Sequence, residues 1–188
     1  MNTGLGKVIF DLDTALCCAC SACAVACMDQ NDTEVDAAAV ASRPFRVAFE
    51  YEEKSQAGTG AGNFRCGYFS VACFHCDSAP CVTACPTGSL LKEPETSLTL
   101  HDRSSCIGCR SCAVACPFGV PSYDQEGKIA KCDGCIERIR HGMEPACVRV
   151  CLTGALKCYS KKEYDQASLK RSLRAIARRT LDEGDEAV

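Results

Sequence analysis

Nineteen of the 188 residues are cysteine, and sixteen of them fall into four regularly spaced groups. The first is Cys17-x2-Cys20-x2-Cys23-x3-Cys27, and the second is Cys73-x2-Cys76-x4-Cys81-x3-Cys85, followed at once by Pro86. The third is Cys106-x2-Cys109-x2-Cys112-x3-Cys116, followed by Pro117. The fourth opens as Cys132-x2-Cys135 and closes, after a longer gap, with Cys147-x3-Cys151. Cys18, Cys66 and Cys158 stand outside the groups. Thiolates are soft ligands. Three of them at two-residue intervals let a tight loop wrap three corners of one iron–sulfur cube, with backbone N–H groups free to point at its sulfurs. The fourth cysteine, four positions on, sits about one turn into the helix that begins there. It therefore faces away from the first cube and reaches a second, so the pattern predicts [4Fe–4S] clusters in pairs.

Groups one and three match the C-x2-C-x2-C-x3-C run that binds [4Fe–4S] clusters in bacterial ferredoxins, and group three carries the following proline as well. Two other chemistries fit less well. Zinc ribbons use two C-x2-C pairs across a longer spacer, and a triple run suits a tetrahedral ion poorly. A disulfide framework expects a secretory signal, yet the N-terminus lacks a basic region followed by an apolar one. An odd count of 19 also cannot pair completely. The three cysteines left over are expected to be small buried hydrophobes.

The rest of the composition narrows the function. The apolar share of 47% counts the cysteines. Without them it is about 37%, a thin supply for a core in a chain of one-domain length. With 21 Lys and Arg against 24 Asp and Glu, the net charge of −3 argues against a nucleic-acid partner. The apolar stretch 15–28 is too short to span a membrane. Only three histidines are present (His75, His101, His141), and no Ser/His/Asp set, dinucleotide fingerprint or P-loop is evident. The chain therefore reads as a wire and not as an enzyme. His75, inside group two, is expected to bond or pack instead of ligating, because four cysteines already fill that cluster. Lys131 and Arg110 adjoin ligands, and two roles stay open for each: raising a cluster potential or sitting in solvent.

The elements that must position these loops are short. Strands are expected at 7–12 and 97–101, before groups one and three, and helical turns at 22–29 and 111–115. The string Cys85-Pro-Thr-Gly-Ser-Leu-Leu recurs as Cys151-Leu-Thr-Gly-Ala-Leu-Lys, each a ligand, a glycine turn and a strand. Residues 46–51 alternate Val47, Phe49 and Tyr51, which predicts a half-buried strand, and 55–63 reads as a glycine-rich surface loop. Residues 168–181 place Leu169, Leu173, Ile176, Ala177 and Leu181 at helical spacing among five basic residues. That predicts a packed terminal helix with a solvated basic face, or one that docks on an acidic partner. Residues 182–188 look frayed and acidic.

The order of motifs resembles the four-cluster iron–sulfur subunits of the dimethyl sulfoxide reductase (molybdopterin oxidoreductase) family, from about Val8 to Lys157. The strings that carry it are Cys73-Phe-His-Cys76-Asp-Ser-Ala-Pro-Cys81, Cys106-Ile-Gly-Cys109-Arg-Ser-Cys112, Cys116-Pro-Phe-Gly, Lys131-Cys132-Asp-Gly-Cys135 and Pro-Ala-Cys147-Val-Arg-Val-Cys151. The resemblance implies that group one pairs with four and group two with three. Cys17, Cys20, Cys23 and Cys151 would then hold one cluster, and Cys27, Cys132, Cys135 and Cys147 its neighbour. Cys73, Cys76, Cys81 and Cys116 would hold a third, and Cys85, Cys106, Cys109 and Cys112 the fourth. Because Cys109 is present, four cubane clusters are expected; Leu152 departs from the proline common after the last ligand.

The implied fold is α+β, two interleaved bacterial-ferredoxin-like modules with short strands and helices around four clusters. The outer module takes 1–66 and 128–165, the inserted module 67–127, and a basic helix and acidic tail 166–188. The implied function is non-catalytic electron transfer to or from a large molybdenum or tungsten bis-pterin catalytic subunit, with room for a further redox subunit or membrane anchor. The alternatives are a polyferredoxin wire for a hydrogenase or aldehyde oxidoreductase, and a freely diffusing ferredoxin. The absent leader points to the cytoplasm, the alternative being export of the folded chain with a partner that bears a twin-arginine signal.

Overall fold

The structure is a computed structural model that describes residues 6–33, 44–54 and 64–185. Its strands are β1 (Val8–Leu12), β2 (Val47–Lys54), β3 (Phe64–Val71), β4 (Leu90–Lys92), β5 (Thr99–His101), β6 (Ser122–Tyr123), β7 (Ile129–Ala130) and β8 (Leu156–Ser160). Its helices are α1 (Ala22–Gln30), α2 (Pro80–Thr83), α3 (Ser111–Ala115), α4 (Ile136–Arg140), α5 (Ala146–Arg149) and α6 (Lys161–Asp185). Helices and strands alternate in a ferredoxin-like α+β arrangement.

The strands pair as four separate antiparallel ribbons, β1 with β8, β2 with β3, β4 with β5, and β6 with β7. The first joins the two ends of the cysteine-bearing region, with Val8 opposite Ser160 and Leu12 opposite Leu156. Helix α1 packs on α5 and α2 on α3, so the short helices also meet in pairs. Two-stranded ribbons are marginal on their own and need a packed face to persist.

That face is small. One cluster of buried residues joins Cys23, Cys147, Val148 and Leu156; a second joins Leu90, Cys112 and Ile129; a third joins Leu98, Ile136 and Ile139. Thiol-bearing residues thus form much of the interior, as the thin aliphatic supply requires. Four helix-free stretches hold the cysteine loops between these clusters and the ribbons.

The strands at 7–12 and 97–101, the turns at 22–29 and 111–115, and the strand after each repeated glycine turn form where the patterns place them. Three expectations change. Strand β2 forms, but Val47, Phe49 and Tyr51 lie on its exposed face, and it is Arg46 and Ser70 that are buried beside it. Alternation finds a two-faced ribbon without saying which face is covered. Helix α6 starts at Lys161 and its apolar residues remain uncovered, with exposures of 61% at Leu169, 57% at Leu173 and 72% at Leu181. It is therefore not a packed helix. It also continues through Asp185, past the point where fraying was expected. The glycine-rich stretch 55–63 lies outside the described residues.

Candidate iron–sulfur sites

Every cysteine loop needs a left-handed residue just before its second cysteine. Ala19 (φ 49°), His75 (φ 47°), Gly108 (φ 70°) and Gly134 (φ 76°) occupy that position before Cys20, Cys76, Cys109 and Cys135. The reversal turns the chain back on itself so that the flanking thiols converge. In a non-glycine residue such a conformation costs about 1–2 kcal/mol. Ala19 and His75 carry it without the freedom of glycine. At Gly108 glycine is obligatory for another reason, since a Cβ would stand 2.7 Å from the Gly127 carbonyl oxygen.

Four cavities open among these loops, three with four of the sixteen grouped cysteines on the wall and one with five. Site I is lined by Cys17, Cys20, Cys23 and Cys151, with Cys18 beside them. Site II is lined by Cys27, Cys73, Cys132, Cys135 and Cys147. Site III is lined by Cys73, Cys76, Cys81 and Cys116. Site IV is lined by Cys85, Cys106, Cys109 and Cys112. Each takes in about 300–400 Å³ with its mouth. Among the described residues, no three His, Cys, Asp or Glu side chains converge closely enough to share one metal ion.

The sites follow one another in a row. Helix α1 carries Cys23 at site I and, one turn on, Cys27 at site II. Cys73 borders both II and III. Around α2, Cys81 and Cys85 connect III with IV, and around α3 Cys112 and Cys116 do the same.

The sulfurs meet hydrogen-bond donors and little competing ligand chemistry. Backbone N–H groups donate to them from Leu156 to Cys151 (3.3 Å), Gly134 to Cys132 (3.4 Å) and Ile129 to Cys106 (3.4 Å). Cys85 and Cys151, the equivalent ends of the two repeats, lie 3.7 and 3.8 Å from the hydroxyls of Thr87 and Thr153. Burial works to raise both thiols, but the N–H groups of Leu90 and Leu156 and these hydroxyls hold them below the ordinary value. The Ser111 hydroxyl does the same for Cys109. The inner sites behave oppositely. Burial first, then the neighbouring Cys147 and Cys135 thiolates, pushes Cys27 up to about 12, and burial pushes Cys132 up to about 12. Four bare thiolates cannot share such a site; a cationic iron–sulfur core would offset part of their charge, and binding it would expel their protons. The donor set and its surroundings fit that group.

Two buried cations stand between the sites. Lys131 is 1% exposed, lines site III, and donates to the Thr99 and Cys132 carbonyl oxygens at 2.5 Å. It is thus not a solvated side chain, whereas Arg110 is exposed and lies over the Tyr123 ring at 5.4 Å. Arg46 lines site II and donates to the Ser70 hydroxyl (3.0 Å), which in turn lies 3.1 Å from Cys23 Sγ in site I. No spacing rule marks Arg46, and only its place between two cysteine groups on the fold reveals it. His75 bonds and packs as expected, through Thr99 and Phe10.

The ungrouped cysteines divide. Cys158 packs against the first core cluster, and burial pushes its thiol up to about 12. Cys18 and Cys66 are exposed, contrary to the expectation of buried hydrophobes. Cys18 sits in the tight loop of group one at the wall of site I, and Cys66 lies on the β2–β3 ribbon, donating to Glu50 at 3.0 Å. A rim of exposed apolar side chains accompanies the row: Phe74 and Phe118 line site III with their rings tilted and centroids 4.6 Å apart, and Val25, Ile107, Val114 and Leu152 lie uncovered beside ligand cysteines in the sequence. Among the described residues, no helix is long and apolar enough to cross a membrane.

Residues 64–161 match the model of a 4Fe-4S dicluster domain. The chain is 36% identical over 152 residues to the probable anaerobic dimethyl sulfoxide reductase chain YnfG of Escherichia coli (strain K12), covering 79% of this chain and 71% of that one. It is 39% identical over 159 residues to the thiosulfate reductase electron transfer subunit PhsB of Salmonella typhi, covering 84% and 78%. It is 32% identical over 195 aligned positions to the hydrogenase-2 operon protein HybA of Escherichia coli O157:H7, covering 92% of this chain and 60% of that one.

Proposed function

The chain belongs to the 4Fe-4S dicluster family, among the iron–sulfur subunits of dimethyl sulfoxide and thiosulfate reductases, and from that membership we propose that it relays electrons through four [4Fe–4S] clusters to and from a catalytic partner. In this reading Cys17, Cys20, Cys23 and Cys151 hold the cluster of site I, and Cys27, Cys132, Cys135 and Cys147 that of site II. Cys73, Cys76, Cys81 and Cys116 serve site III, and Cys85, Cys106, Cys109 and Cys112 site IV. The observation that carries it is the set of four cavities, each walled by cysteines from motifs far apart in the chain. Bound clusters supply one-electron reduction and oxidation. The chain's own residues set the conditions: cysteines anchor, backbone N–H groups and buried cations favour the more negative state, and apolar walls limit water.

The same reading takes the fold as two interleaved modules, 1–66 with 128–165 around sites I and II, and 67–127 around sites III and IV, ahead of the terminal segment 166–188. Pairing of β1 with β8 and packing of α1 on α5 support the outer module. Packing of α2 on α3 supports the inserted one. The chain itself is non-catalytic. Its partner is a large molybdenum or tungsten bis-pterin subunit, docked on the apolar rim, with a further redox subunit or membrane anchor at the other end of the row. The assembly sits in the cytoplasm, or outside it when the partner carries a twin-arginine signal. Resemblance to the hydrogenase-2 operon protein favours one other reading, a wire in a hydrogenase system.

Anaerobic purification tests the foundation. The expected result is a brown protein with about sixteen iron atoms per chain, four in each of four cubes. Stoichiometric zinc without iron would overturn it. Copurification from the native host then separates the partners: a pterin-containing subunit is expected, and a nickel–iron subunit in its place would favour the hydrogenase reading.

A further inference from the structure

Where sites II and III adjoin, one side chain belongs to the loop of one and points at a thiol of the other. His75 lies between Cys73 and Cys76, whose thiols line site III. Its ring is 7% exposed and stacks on Phe10 at a centroid distance of 5.7 Å. Its left-handed backbone, at φ 47°, is tolerated by histidine better than by most side chains. The Thr99 backbone N–H donates to Nδ1 at 3.0 Å, so Nδ1 carries no proton. The other ring nitrogen, Nε2, stands 3.7 Å from Cys132 Sγ, a thiol of site II.

The tautomer follows from these contacts. A ring whose Nδ1 accepts the Thr99 N–H keeps its single proton on Nε2. That proton faces the Cys132 sulfur.

We propose that His75 is a hydrogen-bond bridge between sites II and III, donating from Nε2 to the Cys132 thiolate and thereby raising the reduction potential of the site II cluster. The proposal rests on the cluster reading above. An N–H···S bond strengthens as a cluster takes up negative charge, so it favours the reduced state. One electron crosses between the two clusters, one oxidised as the other is reduced, and no proton moves, because the ring has neither a second proton to give nor a free site to accept one. His75 is a positioning residue here. It touches a ligand sulfur and holds it oriented.

The test uses the whole holoprotein, with histidine labelled with 15N. Electron spin echo modulation of the reduced wild type is expected to show one histidine nitrogen coupled to a cluster, and His141→Asn and His101→Asn are expected to leave that signal in place. His75→Asn tolerates the backbone but is too short to reach Cys132, and is expected to abolish the coupling and lower one of four midpoint potentials in an EPR redox titration. His75→Gln, which restores an N–H at about the same reach, is expected to bring that potential back toward the native value. Absence of any histidine coupling in the wild type overturns the bridge, and needs no substitution that could disturb folding. So do four unchanged midpoints in a His75→Asn protein that retains its iron. Iron well short of about sixteen atoms in the wild type would instead strike the reading beneath.

Discussion

At the scale of single residues, the cysteine loops depend on two kinds of side chain that spacing alone does not grade. One is the left-handed residue before each second cysteine. Gly108→Ala must accommodate a Cβ 2.7 Å from the Gly127 carbonyl, whereas Gly88, also left-handed at φ 68°, has nothing within 4 Å of that position. Both alanines pay strain of about 1–2 kcal/mol, but only the first also displaces backbone. Gly108→Ala is therefore expected to lower the melting temperature further than Gly88→Ala and to lose the iron of site IV, read by metal analysis. The other kind is the buried cation. Lys131→Gln keeps a donor and removes the charge, and is expected to lower the midpoint of the site III cluster. The drop should be on the order of 60 mV, the one-electron equivalent of a tenfold change. An unchanged set of four midpoints would deny Lys131 that influence.

Most of the helices that serve the sites are short, and the longest helix is the one that serves none of them. Helices α2 to α5 run four or five residues each, enough to place one or two thiols and no more. Helix α6 runs 25 residues, touches the rest through β8 and β1, and is tied down by the Arg171–Asp11 ion pair at 2.5 Å and an edge contact of Tyr164 with Tyr159 of β8. An exposed pair of this kind contributes little, and the apolar stripe of the helix is uncovered. Removing residues 167–188 is accordingly expected to leave iron content unchanged and shift the melting temperature by no more than about 4 °C. A large loss of either would mean that α6 holds the cluster-bearing body together.

At the scale of the whole molecule, the described residues form no single large core. Its three clusters of buried residues are small, and cysteines stand in two of them. Buried thiols pushed up to about 12 in site II sit uncharged without metal, and bonds from sulfur to iron would replace both protons and missing packing. Anaerobic removal of iron with a chelator is thus expected to abolish cooperative unfolding and most ellipticity of the short helices, followed by circular dichroism. A chelated protein that still melts in one sharp transition would show the polypeptide to be self-sufficient.

By itself the sequence determined the kind of chemistry, because ligand spacing along a short loop is a local property: three thiols two residues apart converge in whatever fold contains them. It also placed the flanking strands and helical turns, which follow from local periodicity and from glycine turns such as those at Gly88 and Gly154. Tertiary structure decided what depends on distance through space. It put Cys151 on the same cavity wall as Cys17 and Cys116 on the same wall as Cys73. It turned Val47, Phe49 and Tyr51 outward and left α6 bare, because burial belongs to neighbouring surfaces and not to periodicity. It brought Arg46 and His75 to the junctions between sites, residues whose roles depend on contacts 24 and 57 positions away along the chain. Hydrogen-bond direction at His75 is the clearest case. Only the Thr99 amide, arriving from another strand, decides which ring nitrogen carries the proton.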